Sequence, residues 1–326
     1  MVTGVFTMPD TQSPQEELEV SVVVPISERH DDLAEHFYAH QAVINKHFSS
    51  AEFIFIVDGY FPSAEKVIDQ IIQKNSNVKK IKFNRNFGEA KAIAAGYAES
   101  SGKLILTLAA YFQVEPAEIE KLITEFNDSV DVLFGCRYPR KDNFLNKLQS
   151  TIFHKLVNKI SNESFNDISC SARLIRRDVL GKIHLYGDMH RFIPLLAVHK
   201  GFKVKEIPLK QAPQDRHLRV YKPGVYIRRL LDILTLFFLI KFTQKPLRFF
   251  GLLGTGIGFT GAVISAITIW QRLFGDQGLS ERPLFLVGIL FLLVGLQTFF
   301  IGLVAEIVLF MHMPSQPEYN IEEVVE

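Results

Sequence analysis

The chain has 326 residues, is 48% hydrophobic, and carries 36 Lys and Arg against 35 Asp and Glu. That balance excludes a globally basic nucleic-acid binder, and the length admits one large domain or one domain with an appendage. Cys136 and Cys170 sit in different segments without metal-ligand spacing and read as reduced core thiols of a cytoplasmic domain, and none of the ten histidines shows a zinc spacing.

Residues 1–17 are polar, with Pro9, Pro14 and several acids, and read as a disordered leader with no signal-peptide pattern. From 18 to 210, short apolar runs alternate with helical patterns. Strands are predicted at Glu19–Val24, Phe53–Val57, Lys80–Phe83, Leu104–Leu108, Val130–Gly135 and Phe202–Ile207. Helices are predicted near 31–47, 64–74, 88–100, 116–126, 145–160 and 189–199. The alternation predicts an α/β domain with a mostly parallel sheet covered on both faces. Such sheets take ligands at the carboxyl ends of their strands, where Pro25, Asp58, Arg85 and Ala109 fall.

Residues 211–245 form a basic arm with Pro213 and Pro223, followed by an apolar stretch flanked by Arg228, Arg229, Lys241 and Lys245. That stretch is too short to span a membrane and reads as an interfacial amphipathic helix, with a buried core helix as the alternative. Phe249–Trp270 and Leu284–Ala305 are charge-free over about 22 residues each and predict a two-span hairpin across 246–312, ahead of a tail at 313–326. Basic residues before the first span place that side, the N-terminal domain and the tail in the cytoplasm, at an inner membrane. Gly254 and Gly258 either seat a close helix neighbour or reflect the ordinary tolerance of membranes for glycine. Glu306 is costly there unless it snorkels or pairs.

Several motifs then point one way. They are Val22-Val23-Val24-Pro25, Ile56-Val57-Asp58-Gly59, Arg85-Asn86-Phe87-Gly88 with Ala92 to Gly96, and Gly135-x-Arg137-x-x-Arg140-x-Asp142. Asp167-x-x-Cys170-x-x-Arg173-Leu174 and His190-Arg191-Phe192-Ile193-Pro194 follow. In this order, with the two-span tail, they resemble family 2 glycosyltransferases, specifically the membrane-anchored polyisoprenyl-phosphate group that includes dolichol-phosphate mannose synthase. The resemblance runs from about Val20 to Ile321. It implies a GT-A fold and transfer of a sugar from a UDP- or GDP-linked donor to a lipid phosphate at the cytoplasmic membrane face.

That chemistry needs the developing diphosphate charge neutralised, usually by a cation held on carboxylates, and basic residues to dock the lipid phosphate. The resemblance implies donor contacts at Pro25, Asp58, Arg85, Gly88, Ala109 and Tyr111. Asp58 reads as a ligand contact more than a turn cap. Arg85 opens a turn into a helix and faces either an anion or a structural ion pair. Arg137, Arg173, His190, Arg191 and Arg219 are acceptor-phosphate candidates, with a solvated charge run and helix-end charge as the plain alternatives. Arg173 and Asp167 are the catalytic candidates.

The departures are equally informative. The Asp-x-Asp metal pair of the resembled family is replaced by Ala109 and Tyr111, and a methyl group and a phenol cannot replace two hard carboxylate ligands. No Mg or Mn cofactor is therefore expected, unless Asp58, Glu115 or Asp142 are recruited. Ser27, Glu28, Arg29 and His30 replace the residues expected after Pro25, and Pro213-Gln214 and Arg219-Val220-Tyr221 replace the expected arm. Two functions stand open. One is a metal-independent transferase using cations such as Arg29, Arg85, Lys91, Arg216 or Arg219, with Tyr111 bonding a sugar or phosphate. The other is an inactive relative serving as a membrane-bound partner or regulator in envelope-glycan synthesis. Glycine-rich spans favour a homo-oligomer.

Overall fold

The computed structural model describes residues 18–139, 165–183, 185, 187, 189–215, 231, 246–274 and 283–311. The leader, the predicted helix near 145–160, Arg140, Asp142, Arg216, Arg219, the tail, and all of the interfacial helix except Leu231 lie outside these residues. The described residues fall into two compact units, one α/β and one helical.

The α/β unit runs β1 (Val20–Ile26), α1 (Leu33–Ile44), β2 (Ala51–Asp58), α2 (Pro62–Lys74), β3 (Val78–Phe83), α3 (Glu89–Ala98), β4 (Leu104–Thr107) and α4 (Pro116–Thr124). It continues with β5 (Val132–Arg137), β6 (Arg173–Arg176), α5 (Arg177–Lys182), a 3-10 turn (Met189–Phe192), α6 (Ile193–His199), β7 (Val204–Leu209) and a second 3-10 turn (Pro213–Asp215). The sheet order is β3-β2-β1-β4-β6-β5-β7. Only β6 is antiparallel to its two neighbours; the remaining pairings are parallel.

Each predicted strand is present, shifted by up to two residues at its ends. β6 and α5 were not predicted, and the predicted helix 189–199 begins as a 3-10 turn. β1 and β2 are buried along their whole length, which is why they read as nearly continuous apolar runs. Side chains alternate between the two faces. Val22, Val24 and Ile26 join Phe37 of α1, Ile68 of α2 and Ile119 of α4, whereas Val23, Ile54 and Ile56 join Ala92 of α3, Val179 of α5 and Ile193 of α6. Edge strand β3 carries Lys79, Lys80 and Lys82, paired with Glu52, Asp69 and Glu65, which blunts it against edge-to-edge association. Asp32 caps α1 by accepting from the Ala34 and Glu35 N–H groups. A Cβ at Gly96 would lie 2.5 Å from Val23 Cγ1, so glycine lets α3 sit down on the sheet.

The helical unit contains α7 (Pro246–Leu273) and α8 (Pro283–Met311), both long and apolar enough to cross a membrane. Their backbones touch through glycine. A Cβ at Gly254 would lie 2.6 Å from Gly295 O, and one at Gly261 would lie 2.5 Å from the Leu292 nitrogen. The small residues of α7 thus seat α8. Glu306 is paired, accepting from the Leu247 N–H at 3.1 Å.

Candidate functional site

The strand order reverses between β1 and β4: β1, β2 and β3 extend one way from this point, and β4 starts the other half of the sheet. A crevice at the carboxyl ends of such a pair is where open α/β sheets hold ligands. The loops after β1 and β4 are tied together here. The Asp31 N–H donates to Ala110 O at 3.0 Å, and the Phe112 N–H donates to Asp31 Oδ2 at 3.1 Å.

Across this point the Arg29 guanidinium lies over the Tyr111 ring, 4.4 Å from its centroid. One terminal nitrogen of Arg29 donates to Asp31 Oδ1 at 3.2 Å and to Gln214 O at 3.0 Å. The Tyr111 hydroxyl accepts from Gln113 Nε2 at 3.3 Å, and Gln113 Oε1 accepts from the Ser171 N–H at 2.6 Å. Burial, with the Asp215 charge, raises the Tyr111 pKa above its ordinary value, so the phenol stays protonated.

Among the described residues this donor set does not fit Mg or Mn, which need several hard oxygen ligands. Ala109 offers no donor atom and Tyr111 a neutral phenol. Both Asp31 oxygens are engaged, by Arg29 and the Phe112 N–H. Both Asp58 oxygens are engaged by backbone N–H groups. Glu115 pairs with Lys210 at 2.9 Å. Among the described residues no group of three or more His, Cys, Asp or Glu could hold a metal ion.

Asp58 ends β2. Its carboxylate is fully buried, and it accepts from the Phe87 N–H at 2.6 Å and the Gly88 N–H at 2.9 Å. It caps the 85–88 turn, the alternative weighed for it from the sequence. Asn86 Nδ2 donates to Ser27 O and Asp58 O, tying this turn to the end of β1. Gly59 (φ 117°) and Gly88 (φ 92°) take backbone angles that side-chain-bearing residues rarely adopt. Arg85 is exposed, its guanidinium 4.8 Å from the Phe87 ring centroid. Pro25 is buried within β1, and Ala109 is buried beside the Arg29–Tyr111 pair.

Arg137 is buried and is not a solvated charge. Its guanidinium donates to Asp167 at 2.6 and 3.0 Å, to Asp215 Oδ2 at 3.0 Å and to Ser169 Oγ at 2.8 Å, all in a buried setting. Burial alone would lower its pKa, but the two carboxylates outweigh burial and hold the charge. Asp167, a catalytic candidate, is thereby committed to an ion pair. The two thiols nearby are free, and burial pushes both Cys136 and Cys170 up to about 12.

Arg173, on β6, is also buried. It donates to His190 O at 2.6 Å and Ile168 O at 3.1 Å, so it brings two predicted segments together. His190 Nε2 lies 3.3 Å from Glu89 Oε2, at the start of α3. Burial lowers both the Arg173 and His190 pKa values, and the neighbouring Arg191 lowers them further. Arg173 Nε and His190 Nδ1 are buried without a hydrogen-bond partner, unlike the saturated Arg137. Arg191 beside them is half-buried. Asp31, Gln113, Ser169 and Asp215 were not singled out from the sequence. Acids and amides at the strand ends are the signal that could have found them.

The comparisons agree with this architecture. A dodecaprenyl-phosphate galacturonate synthase of Rhizobium johnstonii is 26% identical over 99% of this chain and 98% of its own length. Glucosyl-3-phosphoglycerate synthase from Mycobacterium tuberculosis, in complex with phosphoglyceric acid, superposes with a TM-score of 0.53 at 12% identity, covering 68% of this chain and 80% of that one. The same synthase with Mn2+, uridine diphosphate and phosphoglyceric acid gives 0.50 at 12% identity, over 66% and 78%. These likenesses show a GT-A fold. Residues 21–183, half of the chain, match the family described as glycosyl transferase family 2, and the chain belongs to that family.

Proposed function

We propose that this protein transfers a sugar from a nucleotide-sugar to a polyisoprenyl phosphate at a membrane face, without a carboxylate-held cation. A phosphate oxygen of the lipid attacks the anomeric carbon, the bond from that carbon to the diphosphate breaks, and the nucleoside diphosphate leaves. The observation that carries this reading is the near full-length match to the Rhizobium enzyme, which extends past the family domain into α7 and α8. In this reading the donor sits at the carboxyl ends of β1 and β4. The lipid phosphate meets the Arg173, His190 and Arg191 cluster, whose buried Arg173 Nε and His190 Nδ1 lack protein partners. The two long apolar helices span the membrane as a hairpin, with the α/β unit on the cytoplasmic side of an inner membrane, and the protein assembles as a homo-oligomer.

The test is reconstitution of the full chain with polyprenyl phosphate and radiolabelled UDP- and GDP-sugars in EDTA. Label entering the lipid phase supports the reading. A cooperatively melting protein that moves no label with any donor, in EDTA or manganese, sinks it.

The replacement of the acid pair by Ala109 and Tyr111 favours a second reading. Here the chain is an inactive transferase acting as a membrane-bound partner in envelope-glycan synthesis. Nucleotide-sugar binding without transfer, or no binding at all, distinguishes it from the first.

A further inference from the structure

We infer that Arg29 is the resident cation of the donor site, taking the charge-neutralising part that a divalent ion plays on a carboxylate pair. This rests on the donor placement proposed above. It begins from the disagreement between the ligand set at the strand ends and any metal ion.

Three observations converge on Arg29. First, it follows β1 and meets Tyr111, which follows β4, so the two residues flank the point where the strand order reverses. Second, the guanidinium is aimed. Asp31 and Gln214 O hold one terminal nitrogen, and the phenol ring supports its face at 4.4 Å. Asp31 is in turn fixed by the Phe112 N–H, so the cation is held by both loops. Third, the hold is incomplete. The side chain remains 37% exposed, and its bonds to Asp31 and Gln214 use a single nitrogen. The other guanidinium nitrogens are left to donate to an anion.

That contrasts with Arg137, which is buried and bonded through three nitrogens. A guanidinium presents a planar fork of donors, which suits the paired oxygens of a diphosphate. Tyr111 has a matching part. Where a second carboxylate would compete for the guanidinium, a neutral phenol supports it without cancelling its charge. The Gln113 amide holds the phenol in place.

The ligand class assigned to Arg29 is therefore the diphosphate of a nucleoside diphosphate or its sugar conjugate, taken without a metal ion. The experiment is calorimetric titration of the detergent-purified full chain with UDP and GDP, in EDTA and again in manganese. Wild type is compared with Arg29→Gln and Arg29→Lys. Arg29→Gln removes the charge but keeps an amide donor, and a cooperative melt confirms folding. The expected result is binding in EDTA, roughly ten-fold or more weaker in Arg29→Gln and partly kept in Arg29→Lys. Binding in EDTA that Arg29→Gln leaves intact overturns the inference but not the proposed function. Binding only with manganese overturns the inference and the cation-free part of the proposed function, and leaves the sugar transfer itself standing. No binding of either nucleotide under any condition removes both.

Discussion

Arg137 Nε donates to Asp167 Oδ2 at 2.6 Å, and the same guanidinium reaches Asp215 at 3.0 Å, inside the protein. The triad links the end of β5 to the segment before β6 and to the turn after β7. Removing one partner of a buried pair leaves an uncompensated charge, which costs about 3–5 kcal/mol. Asp167→Ala should therefore lower stability by that order. Arg137→Leu with Asp167→Ala should recover part of the loss, although Asp215 keeps it from being complete. Thermal melts of the three chains test this. A single variant within about 1 kcal/mol of wild type would show that the triad is solvated.

The His36 and His40 rings on α1 lie 4.2 Å apart, tilted, and His36 packs 5.2 Å from Phe112, in the loop that carries Tyr111. Burial brings His40 down to about 4, and burial with the His40 charge lowers His36 well below its ordinary value. Both are neutral in the folded chain at neutral pH. The unfolded chain takes up these protons near pH 6.5 and the folded chain does not, so the stability they contribute is present above pH 6.5. It is lost as pH falls towards about 4. For His40 the loss amounts to roughly 3 kcal/mol. Melting temperature should fall over this window, and His40→Leu should flatten the fall. An unchanged slope would mean that the imidazole is not buried.

How far the sequence could be read depended on whether each partner was local. β1 and β2 announce themselves as apolar runs because both faces of each strand are covered. β6 is only Arg-Leu-Ile-Arg, and its reason for being a strand is pairing with β4 and β5, so no local signal marks it. Arg137 and Asp58 look like ligand groups from their motifs. Their actual partners lie 30 and 78 residues away for Arg137 and 29 and 30 for Asp58. The missing acid pair at Ala109 and Tyr111 was visible directly. That Arg29 would lie over Tyr111 was not, because the contact exists only once β1 and β4 are neighbours.

Glu306 accepts from the Leu247 N–H in the first turn of α7. Early N–H groups of a helix have no intrahelical acceptor, and in an apolar setting an unmet one is costly. Glu306→Gln keeps an acceptor and should be nearly neutral. Glu306→Leu leaves the N–H unmet and should cost about 1–3 kcal/mol in a detergent melt. Equal effects from the two variants would show that the charge, and not the hydrogen bond, is what matters.

The glycine contacts between α7 and α8 make the sharpest stability prediction. A Cβ at Gly295 would lie 2.3 Å from the Gly258 nitrogen and 2.6 Å from Gly254 O, both rigid backbone atoms. Neither can rotate away, so a larger residue must push the helices apart. A Cβ at Gly256 has nothing within 4 Å. Gly295→Val should destabilise the hairpin by roughly 1–3 kcal/mol or more, whereas Gly256→Ala should hold or slightly raise stability through helix propensity. A disulfide formed between cysteines introduced at facing positions of α7 and α8 reports the separation directly. It should form in wild type and Gly256→Ala and fail in Gly295→Val. Equal cross-linking in all three would mean that the helices do not meet through glycine, and that the small residues of α7 face something else.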